Sequence, residues 1–443
     1  MASVRPVKLA KYFSRFGHDV TVLTSMQKDN WCKQELTPVP SDDICEIYAP
    51  AHKGMAYLIK VYDFMQRRGQ RKIMSSKQAV AIDVADDTAA RTPVRSGVKN
   101  RLKQKLSWLF YYGSDRLENY FLTRGLIDVA RKNSLSGFDI VIASYPGAGV
   151  HAAGEWFKKS KRTSRFIADY RDPAYNPGGR SNKTELRHDK HVQDKAVRCA
   201  DAVVCVSQGM ADSLKMQYDS SELPQIHVVT NGFDPDDNRS SEVAGLDTRK
   251  FNFVYTGALY QGRRSVDMLA KVLRKLVDEG VVAEDSLAVN YAGPDFGELV
   301  AQLRRHRLES IAVDFGYVSR QMSLGMQQEA DMVLLLNWND DNYTGVIPGK
   351  LYEYMASKRP ICALIMGNRA GSESARMIRE HELGCACEQA SSEDMDALEA
   401  YIRRKLVAFN SGCRETVVSE GIRRFEYENI ARRYLDIVHS LCR

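Results

Sequence analysis

Short apolar runs alternate with segments of helical period along most of the chain. The runs Asp139–Ser144, Phe166–Tyr170 and Ala202–Val206 predict buried strands, because each is short, apolar and bounded by polar turns. Between them, apolar residues recur at the spacing of an amphipathic helix. Strands that alternate with helices form parallel sheets covered on both faces, so the pattern predicts an α/β protein.

The alternation stops near residue 235 and restarts near residue 250, which divides the chain. The polar stretch Asp234–Arg249 predicts a linker. A chain of 443 residues also exceeds one ordinary core. Ligands of doubly wound parallel sheets bind beyond the carboxyl ends of the strands, so we expect a cleft between two domains. The predicted units are an N-terminal Rossmann-like domain over residues 1–235, a linker over 236–250, a C-terminal Rossmann-like domain over 251–420 and a last helix over 421–443.

Positive charge is concentrated in the segment of residues 53–116. This segment holds 14 basic and 5 acidic residues, a net charge of +9 against +7 for the whole chain. In it, Lys99, Arg101, Lys103 and Lys105 precede a run of aromatic residues. Basic residues beside aromatic ones favour an anionic membrane surface as a partner. No nucleic-acid module accompanies them, so nucleic acid is not an expected partner, and a solvated insertion without a partner is the alternative.

Cysteine usage and apolar content place the chain among cytoplasmic proteins. The nine cysteines form no CxxC pair, which favours reduced thiols. No apolar run approaches the ~20 residues that span a bilayer, and the N-terminus lacks the apolar core of a signal peptide. His188 and His191 stand three apart on a predicted helix without an evident third ligand, so no metal site is expected.

The stretch Gly349–Ile361 is the most informative part of the sequence. It predicts a helix that begins at Gly349 and Lys350 and is followed by a buried strand. A helix N-terminus has unpaired N–H groups and partial positive charge, which suit a phosphate, and Lys350 adds a full charge. Glu353 could accept hydrogen bonds from a sugar diol, so the group predicts a nucleotide-sugar site. An ordinary amphipathic helix is the alternative.

Seven motifs occur in a characteristic order and spacing: Ala2–Pro6, Gly17–Thr24, Asp169–Pro173, Val206-Ser207, Thr230–Asp234, Tyr255–Gly257 and Gly349–Pro360. Together they resemble family 4 glycosyltransferases with the GT-B fold, especially bacterial enzymes of capsule, O-antigen and exopolysaccharide assembly. The resemblance implies transfer of a sugar from a nucleotide sugar, with retention, to a lipid-linked or polysaccharide acceptor at the inner face of the cell membrane. It implies no bound metal and no cofactor beyond the nucleotide-sugar substrate.

The resemblance also assigns roles around the donor. Glu353 matches the glutamate that contacts the nucleotide ribose, and Gly349 opens its helix. Arg263 lies near the basic residue that meets the donor pyrophosphate, with Arg264 beside it. Together with Lys350, these arginines are the expected partners of the pyrophosphate.

Other roles concern the strand ends that face the expected cleft. Gly257 would let the backbone approach the donor, because it lacks a Cβ. His151 matches a histidine that faces the transferred sugar, and an ordinary polar residue at a helix start is the alternative. Asp169, Arg171 and Asp172 follow a strand end and either shape the cleft and contact substrate or have a structural role.

Two positions depart from the family pattern. The first acidic residue of the motif should stand eight residues before Glu353, where the chain has Gly345. Asp340 and Asp341 on the preceding loop are candidates to replace it. The arginine that many members carry after the glycine is Ala258 here.

Two other functions are compatible with these residues. A GT-B nucleotide-sugar epimerase would need no membrane surface, which the basic segment argues against. A non-catalytic or truncated family member is the third hypothesis.

The start of the chain also departs from the family. The family's first Rossmann domain opens with a strand, and Met1 falls in the loop after it, so the first central strand is expected to be missing. Its neighbours would then present unpaired backbone groups. The helix face of Val4, Leu9, Phe13 and Phe16 would also lack a packing partner. We therefore expect either an upstream start or a poorly folded product.

Overall fold

The structure is a computed structural model. It describes residues 4–25, 44–49, 116–145, 148–175, 183–240, 242–341, 345–417 and 419–443. The basic segment of residues 53–116, apart from Arg116, lies outside the described residues, and so do Lys99, Arg101, Lys103 and Lys105.

The described elements alternate between strand and helix. The strands are β1 Val20–Ser25, β2 Ile44–Ala49, β3 Phe138–Tyr145, β4 Thr163–Tyr170, β5 Ala202–Cys205, β6 Gln225–Val228, β7 Phe251–Thr256, β8 Leu287–Ala292, β9 Ala312–Gly316, β10 Met332–Trp338, β11 Ile361–Met366 and β12 Gly384–Glu388. The helices are α1 Val4–Arg15, α2 at residues 116–132, α3 Ala148–Lys159, α4 Lys183–Cys199, α5 Gln208–Lys215, α6 Asp267–Asp278, α7 Phe296–Arg304, α8 Arg320–Glu329, α9 Gly349–Ser357, α10 Glu373–Glu380, α11 Asp394–Asn410 and α12 Tyr427–Cys442.

The N-terminal half is built on a parallel sheet in the order β3-β4-β5-β6. Ala143, Ala168, Val203 and Ile226 pair across its four strands. β5 is apolar and fully buried, and β4 is buried from Phe166 to Tyr170, as expected for strands that helices cover on two faces. Among the described strands, β1 and β2 pair only with each other. They form a two-stranded sheet that is separate from the sheet of β3, β4, β5 and β6.

The C-terminal half is built on a parallel sheet of six strands in the order β12-β11-β10-β7-β8-β9. Val333 of β10 pairs with Val254 on one side and Ile361 on the other. The chain winds outward in both directions from the β7–β10 pair. The carboxyl ends of β7 and β10 therefore form the topological switch point, where open α/β sheets bind ligands.

The prediction of two Rossmann-like parallel-sheet halves is confirmed, and most predicted elements are present within a few residues. Three described elements were not predicted: α2, β12 and α11. β12 has the sequence GCACE, which carries no β-branched or aromatic residue to mark a strand. No described helix is long and apolar enough to cross a membrane.

The last helix packs on the first. Leu9 and Phe13 of α1 share one buried cluster with Tyr434 and Val438 of α12, and the rings of Phe13 and Tyr434 meet edge to face at 5.9 Å. The expectation that this face of α1 lacks a packing partner is therefore wrong. The chain crosses back from the C-terminal half to supply α12, a long-range contact that the local pattern does not reveal.

Buried ion pairs fix the other face of α1. Lys8 and Lys11 both donate to Asp234, with Nζ–O distances of 2.7 and 2.6 Å. The Tyr12 hydroxyl donates to the second carboxylate oxygen at 3.0 Å. Burial acts to raise the pKa of Asp234, but the two lysines outweigh it and hold this pKa at about 2. The first helix is thereby tied to the start of the predicted linker.

Candidate functional site

The switch point brings Gly257 against Lys350. Gly257 follows β7 with a φ of +147°, and a Cβ added there would lie 2.8 Å from Lys350 Cε. Glycine is therefore required for this approach, both for its backbone conformation and for the missing side chain. The lysine side chain lies across the end of β7, beside the N-terminus of its own helix α9.

The N-terminus of α9 presents unpaired backbone donors beside this lysine. Its N-cap residue is Pro348, which provides no side-chain hydrogen bond to the helix. The next residue, Gly349, is exposed. Inside the helix Leu351, Tyr354 and Met355 are buried, as the sequence pattern predicts. The inward face holds the helix in place and leaves its first turn open for an anion.

Lys350 has no hydrogen bond or ion pair with any residue that the structure describes. Burial lowers the pKa of its ammonium group, Glu353 acts to raise that pKa, and Arg264 and Arg320 lower it further. Buried cations normally have a partner. An unpaired, partly desolvated lysine near two arginines is the strongest sign of an anionic ligand in the C-terminal half.

Arg264 is held in place at the same edge of the sheet. Its Nη1 donates to the hydroxyl of Tyr255 at 3.1 Å and to the carbonyl of Ala258 at 3.3 Å. Its guanidinium lies over the rings of Tyr260 and Trp338. This arginine therefore stands next to residue 258, the position at which the chain lacks the family arginine.

Arg263, the neighbouring arginine, is more exposed than Arg264: its side chain is 60% exposed. Its Nη2 lies 3.9 Å from Asp340 Oδ2, and its guanidinium lies over Trp338. Asp341 instead pairs with Arg369 at 3.5 Å. Of the two acids considered as replacements at Gly345, only Asp340 is thus seen beside a predicted donor residue.

Glu353 lies one turn into α9 and is mostly buried. Its Oε1 accepts from Arg320 Nη1 at 3.0 Å, and Arg320 Nη2 also lies 3.3 Å from Asp237. Arg320 was not predicted, because a basic residue at the start of a helix gives no sign of a partner far away in the sequence. The pair orients the carboxylate and leaves its other oxygen without a hydrogen bond in the described structure.

His151 lies in the N-terminal half, in the first turns of α3. It is 1% exposed, and its Nε2 lies 3.1 Å from the carbonyl oxygen of Ala143. A carbonyl only accepts, so Nε2 carries the proton and donates it. Nδ1 is buried and has no partner. Burial lowers the pKa of the imidazole to about 4 against small opposing effects, so the ring is neutral at pH 7.

Asp169 belongs to a structural network. Arg5 donates to both of its carboxylate oxygens, at 3.0 and 3.2 Å, and Ser144 donates at 2.6 Å. Arg5 also donates to the carbonyls of Val229 and Thr230. Arg171 donates to the carbonyl of Tyr145 at 2.6 Å. The internal role considered for this motif accounts for these contacts.

The two halves meet at a tight contact between glycines. A Cβ added to Gly209 would lie 2.7 Å from the Cα of Gly345, which has a φ of +78°. Ser207 donates to the Gly345 carbonyl at 2.7 Å, and Glu373 accepts from the Gly209 N–H at 2.7 Å. The position at which the family has an acid is therefore a contact between the halves in this chain.

The structure thus gathers most, but not all, of the predicted donor residues. Gly257, Arg264, Gly349, Lys350 and Glu353 lie together at the switch point, and Arg263 lies at its edge. His151 lies in the other half, where its Nε2 lies near carbonyl oxygens of β3 and β4. No group of three potential metal ligands occurs in the described parts of the chain.

Known proteins are similar to this chain in one family model and in overall fold. Residues 78–237 match the model of Glycosyltransferase Family 4. The fold is similar to sucrose-phosphate synthase from Thermosynechococcus elongatus, with a TM-score of 0.55 and 13% identity over 98% of this chain and 92% of that chain. It is also similar to an α,α-trehalose-phosphate synthase (UDP-forming) from Burkholderia vietnamiensis, with a TM-score of 0.50 and 9% identity over 75% and 77% of the two chains. No curated protein is significantly similar in sequence.

Proposed function

We propose that this chain, which matches the family 4 glycosyltransferase model over residues 78–237 and has the GT-B fold, transfers a sugar from a nucleotide sugar, with retention, to a lipid-linked acceptor in cell-surface polysaccharide synthesis. The donor diphosphate would bind at Lys350 and the N-terminus of α9, and the ribose diol at Glu353. Arg263 and Arg264 would contact the diphosphate from the β7 side.

The observation that carries the donor proposal is the unpaired Lys350. Breaking the bond between sugar and phosphate develops negative charge on the leaving diphosphate. A fixed ammonium group, arginine side chains and helix N–H groups stabilise that charge most when it is fully developed, which lowers the barrier. The partial desolvation of Lys350 strengthens this interaction, because less water screens it.

The finer parts of the proposal have separate support. Retention, the lipid-linked acceptor and the polysaccharide role are supported by the sequence motifs that resemble bacterial polysaccharide enzymes. Association with an anionic membrane surface is supported by the charge of residues 53–116.

A screen of nucleotide sugars by thermal shift tests the donor proposal. A ligand that binds only the folded protein raises its melting temperature in proportion to occupancy. We expect one class of nucleotide sugar to raise it and to be consumed only when a glycan acceptor is added. Epimerisation of the nucleotide sugar without acceptor would establish the alternative enzyme class, and no shift with any nucleotide sugar would exclude donor binding.

The variant Glu353→Gln tests the ribose assignment. Loss of charge-assisted hydrogen bonds should cost roughly 1.5–3 kcal/mol, which raises the donor Kd about 10- to 150-fold. Titration calorimetry measures the Kd. The control is Glu380→Gln, which neutralises an exposed carboxylate on α10 and should leave the Kd unchanged. Equal affinity in the Glu353→Gln variant and the parent protein would show that the assignment is wrong.

A further inference from the structure

A basic trough lies in the N-terminal half, between α2 and α4 and over α3. Its volume is about 600 Å³, within the usual size of small-molecule sites. Of the predicted site residues, it includes His151 alone. The side chains that matter to its chemistry are Arg116, Arg124, Arg131, Lys195, Tyr120 and Trp156.

Close packing of α2 on α3 builds one wall. The Gly149 N–H donates to Asn119 Oδ1 at 3.1 Å, and Thr123 donates to the Gly149 carbonyl at 3.2 Å. A Cβ at Gly149 would lie 2.6 Å from the Asn119 carbonyl oxygen, so the helices approach at a glycine. The apolar side of α2 is buried through Leu126, which packs with Ala153 of α3. The wall is therefore held by backbone contacts and a small core.

The opposite side of α2 faces the trough with a stripe of cations. Arg116, Arg124 and Arg131 recur at helical spacing on that side. Arg131 also lies 3.7 Å from Asp128, but both side chains are more than half exposed, so this pair contributes little. Arg116 Nη2 lies 2.8 Å from His188 Nδ1 and bridges to the wall formed by α4.

The wall formed by α4 adds a further cation. Lys195 is exposed and has no hydrogen bond or ion pair with any described residue. The acid in the lining is Glu155, which is already paired with Lys159. The lining therefore carries an excess of positive charge, which attracts an anion into a concave site.

Neutral groups of the trough complete the chemistry. The unpartnered Nδ1 of His151 can accept a hydrogen bond, since Nε2 already donates to Ala143. Trp156 and Tyr120 present aromatic rings, over which Arg131 and Arg124 lie at 5.3 and 5.7 Å. Cations, a buried acceptor and aromatic rings together suit a ligand that carries phosphate, sugar hydroxyls and apolar C–H surface.

We infer that this trough binds the phosphate-bearing part of the glycan acceptor, with the phosphates at Arg124 and Lys195 and a sugar hydroxyl at His151 Nδ1. The inference rests on the proposed function, in which the acceptor is lipid-linked. The concave shape favours a bound glycan diphosphate over a flat membrane surface. The trough shares no lining residue with the donor site on α9, so the two can be tested independently.

The double variant Arg124→Gln/Lys195→Gln tests the inference. Its matched control is Lys132→Gln/Arg187→Gln, which removes two exposed charges from the same two helices outside the trough. Titration of the full chain would use three probes: inorganic pyrophosphate, a short-chain prenyl diphosphate sugar, and vesicles that contain anionic phospholipid. Donor affinity is measured in parallel for every variant.

We expect the Arg124→Gln/Lys195→Gln variant to lose at least 10-fold in affinity for the prenyl diphosphate sugar. The control variant should stay within two-fold of the parent. Donor affinity should be the same in the parent and in both variants. Equal losses in both variants, or no binding of this probe by the parent, would overturn the inference. Binding of pyrophosphate alone would overturn the acceptor assignment in favour of free phosphate, and a trough-dependent loss seen only with vesicles would overturn it in favour of a membrane surface. If the parent protein did not bind the donor, that result would instead count against the proposed function.

Discussion

At the residue scale, Gly257 sets the geometry of the donor site. Its φ of +147° belongs to a region that other residues rarely adopt, and Lys350 occupies the space where a Cβ would lie. Gly262 also has a positive φ, but a Cβ there would meet only Glu298 Oε1, at 3.5 Å. Substitution of Gly262 therefore introduces backbone strain alone, whereas substitution of Gly257 introduces strain and also displaces Lys350.

The variant Gly257→Ala should lose stability and donor affinity together. Strain at this φ costs of order 1–3 kcal/mol, and the clash displaces Lys350 from the diphosphate. Gly262→Ala should lose stability alone. Urea unfolding and titration with the nucleotide sugar measure the two effects, and an unchanged donor Kd in Gly257→Ala would contradict the role given to Lys350.

His151 makes the second prediction at this scale, because it is buried as the neutral base. Its pKa is lowered to about 4, against 6.5 in the unfolded chain, so the unfolded state binds more protons between these values. The contribution to stability is complete above pH 6.5 and decreases as pH falls to 4, by about 3 kcal/mol in total. Urea unfolding of His151→Gln should show a weaker pH dependence in this window, while His439→Gln, which changes an exposed ring, should follow the parent. Parallel curves for parent and His151→Gln would contradict the burial effect.

At the scale of elements, α1 is held by charges that local pattern does not reveal. Its sequence has basic residues on the face that packs inward, yet Lys8 and Lys11 are buried because Asp234 lies between them. A buried charge needs a partner, and without Asp234 the two lysines keep only Asp237 and Asp236, whose side chains are partly exposed. The attachment of α1 to the molecule therefore depends on this acid.

The variant Asp234→Asn should destabilise the protein by about 3 kcal/mol, because two buried ammonium groups lose the buried carboxylate that they share and keep only the more exposed Asp237 and Asp236. The control is Asp236→Asn, whose carboxylate is 36% exposed and should contribute less than about 1 kcal/mol. Urea denaturation measures both. Similar losses in the two variants would show that burial of Asp234 does not decide the stability.

At the scale of the whole molecule, the contact between Gly209 and Gly345 sets how closely the halves approach. Gly371 has nearly the same φ as Gly345, +79° against +78°, but a Cβ there meets nothing within 4 Å. Of these two positions, only 345 is one where an added methyl group would push the halves apart. Glu373 and Ser207 would lose their hydrogen bonds across the contact.

The variant Gly345→Ala should lower kcat at least 10-fold, because the halves can no longer bring donor and acceptor together. Gly371→Ala should keep its kcat and lose only the stability that the positive φ costs. Steady-state kinetics and small-angle scattering measure the two effects. Equal kcat values and equal radii of gyration in the two variants would contradict a role for this contact in closure.

How far the sequence predicts the fold follows from the range of each interaction. Strands β3, β4 and β5 and helix α9 were predicted because apolar periodicity is a local property. β12 was not predicted because it lacks β-branched residues, and α2 and α11 were not predicted either. For the candidate site, the predicted helix start indicated Lys350 and the family resemblance indicated Gly257 and Glu353. Neither gave a sign of Arg320, which lies 33 residues from Glu353.

By itself, the sequence determined the two parallel α/β halves and the helix start that suits a phosphate, since both depend on residues close together in the chain. Tertiary structure alone decided that α12 covers α1, that Gly345 meets Gly209, that His151 is buried as a neutral base, and that the cations of α2 and α4 face one trough. These features join residues far apart in the chain. Whether a charged or polar side chain is paired, buried or free depends on which distant segment packs against it, and local periodicity carries no record of that.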